Sequence, residues 1–177
     1  MKSNFLTLTF FVAAIATTFF LTSAKSNTTK SKLGYINTTA LWQVMPDKAL
    51  ADTSLVKMKR EFIGYLQQKQ KNFENGVAIY KRDSINMSNL IKKEKIDELL
   101  KAQEEIKTFP KRADAELNKK KEELYTPIRQ KMQKAIDEVA KENNFDYITD
   151  VSFGNIIYAK NTQDNILELV KNKLGLK

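Results

Sequence analysis

Residues 55–80 read LVKMKREFIGYLQQKQKNFENGVAIY, and this stretch decides the fold. Its apolar side chains recur every three or four residues, which is the period of one face of an α-helix. The positions between them hold mainly lysine, glutamine and glutamate, which are good helix formers. The same character extends over residues 49–144, which carry 21 basic and 16 acidic side chains but only two glycines and two prolines. We therefore expect long helices across the middle of the chain.

Two apolar stripes of this kind follow each other along the segment. A turn-like run rich in serine and asparagine separates them at residues 83–89. We expect two antiparallel helices, over about 50–85 and about 90–143, that pack along the stripes as a coiled-coil-like hairpin. A helix of the first length spans roughly 55 Å, so the hairpin must project from the rest of the chain. We call residues 49–144 the arm and expect its tip near 84–92.

Four residues weaken the helices of the arm locally. Gly64 and Gly76 lie in the first helix, where a glycine costs roughly 1 kcal/mol relative to alanine. Pro110 and Pro127 lie in the second helix, where proline removes a hydrogen bond and clashes with the preceding turn. We expect a bend at one or both prolines, and we name Pro110 and Pro127 as candidate hinges.

The residues that flank the arm lose the helical period. Before the arm, a short strand is followed by a short helix that Pro46 ends, because the residue before proline avoids the helical region. After the arm, two strand candidates precede a last helix that Thr162 caps and Gly175 closes. The strand candidates are residues 33–37, 145–151 and 155–159. The prediction is an α+β fold, mostly α, in which residues 32–48 and 145–177 form one small body.

This body is too small to be stable by itself. About 45 residues of short strands and helices bury little apolar area, and units of that size usually need disulfides, metal or oligomerisation. The chain has no cysteine, so disulfides are excluded. We therefore expect an obligate oligomer whose strands continue across subunits. The residues assigned to this oligomerisation body are Tyr35, Ile36, Ile148, Val151, Ile156, Ile157 and Tyr158.

The first 24 residues have the pattern of a secretory signal peptide. Lys2 provides a positive start, residues 3–24 carry no charge, and Thr22 and Ala24 are small residues at the −3 and −1 positions of a cut after Ala24. An uncleaved anchor is the alternative, because these 22 uncharged residues can just span a bilayer. We expect cleavage, a flexible segment at 25–31 and an exported mature chain.

The sequence contains no catalytic constellation. Because cysteine and histidine are absent, thiolate and imidazole metal sites and the nucleophilic devices built on these residues are excluded. Adjacent carboxylates on the arm, such as Glu104 and Glu105, do not face each other on a helix. Asp146 and Asp150 are the remaining metal candidates, but their places at strand ends favour turn and capping roles. We predict that the protein is not an enzyme and has no cofactor.

The charge of the chain favours anionic partners. The formal net charge is +9, and the arm has five more basic than acidic residues. Export makes nucleic acid an improbable partner, so we expect none. A nucleic-acid-binding coiled coil remains an alternative only if the N-terminal segment is not exported. The aromatic residues of the arm fit the seam of the hairpin, and those left accessible beside basic runs suit an unfolded protein client. The client-binding candidates are Phe62, Tyr65, Phe73, Val77, Tyr80, Phe109, Lys92, Lys93, Lys95, Lys111, Arg112, Lys119, Lys120 and Lys121.

The order of these elements resembles the Skp (OmpH-like) family of periplasmic chaperones. The matching residues are KLGYIN at 32–37, LWQVMP at 41–46, Tyr125-x-Pro127-Ile128, AIDEVAKEN at 135–143, FDYITD at 145–150, IIY at 156–158 and Asp164-Asn165-Ile166-x-x-x-Val170. Together they cover roughly residues 32–175, almost the whole mature chain. Pro110 departs from the family pattern, which usually shows a charged or small helix former in this part of the arm.

The resemblance implies a jellyfish-like homotrimer with a β-containing body and three helical arms around a cavity. It implies a periplasmic holdase that keeps unfolded outer-membrane proteins from aggregating and needs no ATP. The family has been linked to lipopolysaccharide, so anionic lipid and lipopolysaccharide are further candidate partners. The alternative is a structural or tethering coiled-coil protein of the envelope, whose arms bind anionic lipid or a fixed protein partner.

Overall fold

The structure, a computed structural model, describes residues 31–154 and 156–176. The elements are strand β1 (Leu33–Ile36), helices α1 (Thr38–Gln43), α2 (Pro46–Asp83) and α3 (Asn89–Glu142), strand β2 (Tyr147–Asp150) and helix α4 (Leu167–Lys173). Single 3₁₀ turns lie at Ser84–Asn86 and Thr162–Asp164. Two long helices beside one small sheet confirm the predicted mostly α fold class. The predicted signal peptide lies outside the described residues.

The long helices begin at residues that favour helix starts. Pro46 occupies the first turn of α2, where its missing N–H costs nothing, and Asp47 follows it in the same turn. Pro46 therefore both separates α1 from α2 and starts α2, a few residues earlier than the sequence pattern predicted. Ser88 caps α3 by accepting a hydrogen bond from the backbone N–H of Ile91. At the other end of α3, Asn144 turns the chain with a positive φ of 54°.

Helices α2 and α3 form an antiparallel hairpin, and side-chain contacts define its register. From the base of the arm outward, the numbers of the contacting residues rise along α2 and fall along α3. The pairs are Asp47 with Lys131, Asp52 with Tyr125, Phe62 with Phe109, Tyr65 with Glu105 and Gly76 with Leu99. At the last pair, a Cβ on residue 76 would lie 3.0 Å from Leu99 Cδ2, so glycine permits the close approach of the helices.

Helix α3 continues without interruption through both of its prolines. Pro110 and Pro127 each lack the N–H that would complete a helical hydrogen bond, but neither ends the helix. Thr108 adds a second local perturbation, because its hydroxyl donates to the backbone carbonyl of Glu104 at 2.8 Å. The bend expected at one or both prolines stays a prediction.

The two strands are parallel, with Leu33 opposite Tyr147 and Ile36 opposite Asp150. The connection between them is the whole α2–α3 hairpin. Asn165 forms an isolated parallel bridge with Tyr35. The C-terminal segment therefore adds one paired residue beside β1.

The third strand predicted at residues 155–159 is wrong for the part that the structure describes, because residues 156–159 have no strand conformation. A strand is stable only when a second backbone pairs with it, and Ile157 and Tyr158 protrude into solvent without such a partner in the single chain. The last helix also starts later than predicted. Thr162 begins a 3₁₀ turn instead. Helix α4 begins at Leu167, whose backbone N–H donates to the side chain of Asn165.

The apolar core lies where the body meets the end of α3. Its buried side chains come from β1, α1, α3 and the C-terminal segment, and they include Ile36, Leu41, Val139, Ile166 and Val170. A second cluster at the base of the arm contains Met45, Ala51 and Ile128, covered by Trp42 and Tyr125. The last turns of α3 therefore belong to the core of the body as well as to the arm.

Candidate functional site

The predicted client-binding aromatics lie along the seam of the hairpin and are only partly covered. Phe62 and Phe109 meet edge to face with ring centroids 5.9 Å apart, and Tyr65 lies 4.7 Å from the Phe109 ring. Phe73, Val77 and Tyr80 are half-buried farther along α2 toward the turn. These side chains form the seam. Because one partner helix cannot cover a whole aromatic ring, the rings still present an edge to solvent. Tyr65 is the most accessible of the aromatic candidates, at 42%.

A polar cluster beside these rings fixes the register in the middle of the arm. The Tyr65 hydroxyl donates to Glu105 at 2.6 Å, and the Lys69 ammonium donates to the same carboxylate at 3.0 Å. The hydrogen bonds from Tyr65 and then Lys69 lower the pKa of Glu105 below its ordinary value. Sequence reasoning missed this cluster, because Lys69 and Glu105 are 36 residues apart and only the hairpin register brings them together.

The predicted basic residues are spread along α3 and do not form one compact patch. Lys93, Lys95, Lys111, Arg112, Lys119 and Lys121 are exposed, while Lys92 and Lys120 are half-buried. From Lys92 to Lys121, a helix rises roughly 45 Å. Lys95 pairs with Glu98 and Lys120 with Glu123, so these two lysines are locally neutralised. The arrangement is a long, weakly positive surface that can attract a partner along its whole length.

The base of the arm is held by a second mixed cluster that the sequence did not reveal. The Trp42 ring meets the Tyr125 ring edge to face at 5.1 Å. The Tyr125 hydroxyl donates to Asp52, and Lys48 pairs with the same carboxylate at 2.7 Å. The hydrogen bonds from Lys48 and then Tyr125 lower the pKa of Asp52, and Asp52 in turn raises the pKa of Tyr125. Trp42 was visible as the single tryptophan of the chain, but its partner was not.

The residues predicted for the oligomerisation body divide into three groups by their exposure. Ile36 is 1% exposed, so its side chain belongs to the core of the body. Tyr35, Ile148 and Val151 are half-buried, and the methyl end of Ile148 covers Gly34. Ile156, Ile157 and Tyr158 are exposed, with Ile157 at 98%. Three further exposed residues near the sheet were missed by sequence reasoning: Leu33, Tyr147 and Phe153.

Asp146 and Asp150 cap the backbone, as their positions at strand ends indicated. The carboxylate of Asp146 accepts the backbone N–H of Lys32 at 2.6 Å. Asp150 accepts hydrogen bonds from the hydroxyl and N–H of Thr38 and from the hydroxyl and N–H of Ser152. Burial by itself raises the pKa of Asp150, but the hydrogen bonds from Ser152 and Thr38 outweigh it and lower the pKa to about 2. Among the described residues, no group of three carboxylates is placed to hold a metal ion.

Large apolar side chains are exposed in an uneven pattern. Over residues 101–146, which make up most of α3, none of the exposed side chains is large and apolar. Around the turn of the hairpin, by contrast, six are exposed: Ile79, Ile85, Leu90, Ile91, Ile96 and Leu100. Sequence reasoning did not single out any of the six as exposed. For Ile85, Leu90 and Ile91, the signal was the uncharged run from Ser84 to Ile91.

The family model described as Outer membrane protein (OmpH-like) matches residues 32–174. The chain belongs to the OmpH-like family. The match spans both strands, both long helices of the arm and α4, so it covers nearly everything that the structure describes. A comparison with curated proteins gives no match.

At the level of the family, OmpH-like membership implies a periplasmic chaperone of outer-membrane proteins and not an enzyme. In this chain, the arm carries the exposed edges of aromatic rings and the extended basic surface. In the described part of this OmpH-like chain, no helix has both the length and the apolar character needed to cross a membrane.

Proposed function

We propose that the protein is an ATP-independent holdase of the periplasm that binds unfolded outer-membrane proteins between the arms of a homotrimer. The observation that carries this proposal is the arm itself. A hairpin of 38- and 54-residue helices has a seam that one partner helix covers incompletely, with basic side chains beside it. An unfolded chain can bind such a surface in many poses, because scattered apolar contacts make no demand on shape.

The proposed trimer explains the exposed apolar end of the body. Ile156, Ile157 and Tyr158 protrude from a chain that has no cysteine and whose described sheet has only two strands, with one bridge to Asn165 beside β1. Apolar side chains at an unpaired edge favour pairing with another chain. In the proposed trimer, this segment completes the sheet of a neighbouring subunit, and the three arms then enclose a cavity. The mature chain starts at Lys25, after cleavage of the proposed signal peptide.

The proposed hinge gives the cavity a variable width. Pro110 interrupts the hydrogen bonding of α3 at the level of the Phe62–Phe109 contact, where Gly64 on α2 has no neighbour within 4 Å of its missing Cβ. Both helices are therefore weakened at one level of the arm. Pro127 lies nearer to the base, where the second apolar cluster supports the helix, so we place the larger movement at Pro110.

The test of the holdase is light scattering after an unfolded outer-membrane barrel is diluted from urea into buffer. Residues 25–177 should suppress aggregation at near-stoichiometric trimer without any nucleotide. Suppression should weaken as salt rises, because the basic arm surface contributes to capture and salt screens it. A folded oligomer that leaves aggregation unchanged would overturn the holdase and favour the tethering protein.

The trimer is tested separately with a matched pair of variants. Ile157→Asp introduces a charge on the exposed segment of the body and should yield monomers by multi-angle light scattering. Ile85→Asp makes the same change at a similarly exposed position on the turn of the hairpin, and it should leave the trimer intact. If both variants remain trimeric, the segment at residues 156–158 is not the subunit interface.

A further inference from the structure

We propose that a cavity between α1 and α3, at the base of the arm, binds a sugar acid, that is, a sugar ring that carries a carboxylate. The cavity has a volume of about 380 Å³, which is the size of a small-ligand site. We call it the base cavity, and the lining residues that carry the argument are Thr39, Trp42, Lys121, Glu122, Tyr125 and Arg129. The proposal does not depend on the holdase function, since it concerns a small ligand where the arm joins the body.

Two aromatic rings form a corner of the base cavity. Trp42 on α1 and Tyr125 on α3 meet at an interplanar angle of 80°, and both are half-buried. The Tyr125 hydroxyl is bound to Asp52, which does not line the cavity, so Tyr125 offers its ring to a ligand and not its hydroxyl. The C–H groups on the face of a sugar ring can pack against the negative face of an aromatic ring. The corner is therefore a platform for a ring-shaped ligand.

Two cations beside this platform can bind a carboxylate. Nη2 of Arg129 donates to Glu122 at 2.6 Å and to the Thr126 hydroxyl at 3.1 Å, which holds the guanidinium in place. Within the described part of the chain, Nε and Nη1 of Arg129 donate no hydrogen bond. The Lys121 ammonium lies 5.8 Å from the centre of the Tyr125 ring and, among the described residues, has no carboxylate partner. A ligand carboxylate can therefore gain charge-assisted hydrogen bonds without breaking the pair between Arg129 and Glu122.

The remaining polar groups of the base cavity favour a ligand that also carries hydroxyls. Arg129 occupies Oε2 of Glu122, and Oε1 accepts no hydrogen bond from the residues that the structure describes. The Thr39 hydroxyl likewise has no hydrogen-bond partner there, although its backbone N–H donates to Ser152. An ionised carboxylate can only accept, so Glu122 needs a donor from the ligand and would repel a simple acid. Sugar hydroxyls donate to Glu122 and Thr39 while the acid group binds the two cations, and a sugar acid has both.

The experiment titrates residues 25–177 with glucuronic acid and follows the fluorescence of Trp42, which is the single tryptophan of the chain. We expect a saturable change with a dissociation constant of about 1 mM, which is ordinary for a ligand of this size. Glucose has the same ring without the carboxylate and should bind about tenfold more weakly, because the charge-assisted hydrogen bonds are missing. Added salt should weaken the binding of glucuronic acid more than that of glucose.

A matched pair of charge variants locates the site. Arg129→Gln should weaken the binding of glucuronic acid about tenfold, because the main partner of the carboxylate is lost. Lys131→Gln is the control, since Lys131 lies on the same helix, is similarly exposed and also pairs with one carboxylate, that of Asp47. Lys131 does not line the base cavity, so its change should alter the affinity by less than about twofold.

A second pair of variants tests the platform. Trp42→Leu removes one ring and should abolish saturable binding, measured by saturation-transfer NMR because the fluorescent group is gone. Tyr125→Phe keeps the other ring and should keep the affinity, because the lost hydroxyl serves Asp52 and not the ligand. Circular dichroism shows whether each variant keeps its helices. If Trp42→Leu does not fold, the pair Arg129→Gln and Lys131→Gln still decides, since both side chains are exposed.

Four results would overturn the proposal. No saturation up to about 50 mM glucuronic acid would mean that the base cavity is not a binding site for it. Glucose that binds as tightly as glucuronic acid would show that the cations do not hold a carboxylate. Equal losses for Arg129→Gln and Lys131→Gln would reduce the binding to an effect of net charge. Benzoate has the charge and a ring but no hydroxyls, so tighter binding of benzoate would show that the cavity selects aromatic acids and not sugars.

Discussion

The body and the arm are stabilised in different ways, although one helix runs through both. In the body, Leu41, Ile166 and Val170 have no accessible surface, and α3 contributes Ile136 and Val139 to the same core. Beyond the base of the arm, the described residues include a single buried side chain, that of Ala113. The outer arm is held instead by half-buried rings and by exposed hydrogen bonds such as that from Tyr65 to Glu105.

The difference teaches that rigidity and binding capacity are divided along the chain. Buried apolar contacts give a well-defined, cooperative structure, whereas segments with few of them open locally at low free energy. A surface for unfolded clients needs accessible apolar groups, and a segment that buried all of them would have none to offer. We therefore expect the body to determine global stability and the outer arm to exchange its amide hydrogens earlier.

The largest expected effect comes from a cavity in the body. Leu41→Ala should lower the free energy of unfolding by about 2–5 kcal/mol, since the removed atoms are fully buried and the core can collapse only in part. Leu66→Ala, the same change at a half-buried position of α2 in the arm, should cost less. Urea denaturation followed by circular dichroism measures both values. Equal losses would show that the arm is as cooperative as the body.

A pH-dependent loss should follow from the capping role of Asp150. Asp150→Asn should cost about 1.5–3 kcal/mol at neutral pH, because hydrogen bonds to a charged acceptor are lost. The pKa of Asp150 is lowered from 3.8 to about 2 in the folded state, so its contribution is complete above pH 4 and disappears as the pH falls through 2.

The measurement is the difference in unfolding free energy between the wild type and Asp150→Asn at neutral pH and at about pH 2.5. This difference should shrink in acid. Glu105→Gln is the corresponding change on the exposed arm and should have a small effect at both pH values. A difference for Asp150→Asn that does not change with pH would mean that the carboxylate is not the group that caps Thr38.

Two glycines should respond in opposite directions. Gly34→Ala should destabilise the body by about 1–3 kcal/mol, because a Cβ there would lie 2.7 Å from Ile148 Cδ1 and 3.0 Å from the Phe145 ring. Gly64→Ala should stabilise the arm by about 0.5–1 kcal/mol, because the Cβ would meet nothing within 4 Å and alanine is the better helix former. Thermal melting and hydrogen exchange of the arm amides test the pair. Two changes of the same sign would contradict the comparison.

The smallest expected effect concerns the polar cluster of the arm. Tyr65→Phe removes the hydroxyl that donates to Glu105 and should cost less than about 1 kcal/mol, because the pair is accessible to solvent. A double-mutant cycle with Glu105→Gln isolates the coupling between the two side chains. A coupling free energy larger than about 1 kcal/mol would show that this cluster stabilises the arm more than exposed hydrogen bonds usually do.

Local patterns in the sequence were sufficient to predict the long helices. The apolar period around Phe62 and Phe109, the turn residues near Ser88 and the helix-forming composition all depend on neighbours within a few residues. The strand predicted at residues 155–159 was wrong over the described residues 156–159 for the opposite reason, since a strand depends on a partner that sequence alone does not place. Tyr125 with Asp52 and Lys69 with Glu105 could not be paired before the register of the hairpin was known.

For the candidate binding residues, the kind of side chain was easier to predict than its position in the fold. The aromatic side chains of the arm were expected at the seam, and the structure puts them there. Ile36 was assigned to the oligomerisation body, and it lies in the core of that body, because a strand with one face against α3 buries alternate residues. The exposure of Ile85 and Leu90 was not predicted, because the segment around them was assigned only as a turn.

The constant register of the hairpin restricts how the length of this chain can change in evolution. An insertion in α2 alone would shift every pair beyond it, from Phe62 with Phe109 outward, and would turn the seam away from its partner. An equal insertion in α2 and α3, placed at matching levels, would preserve every other contact. Seven residues added to each helix would lengthen the arm by roughly 10 Å. Homologues should therefore differ in arm length by paired, heptad-sized steps, while the body that anchors the two helices keeps the same size.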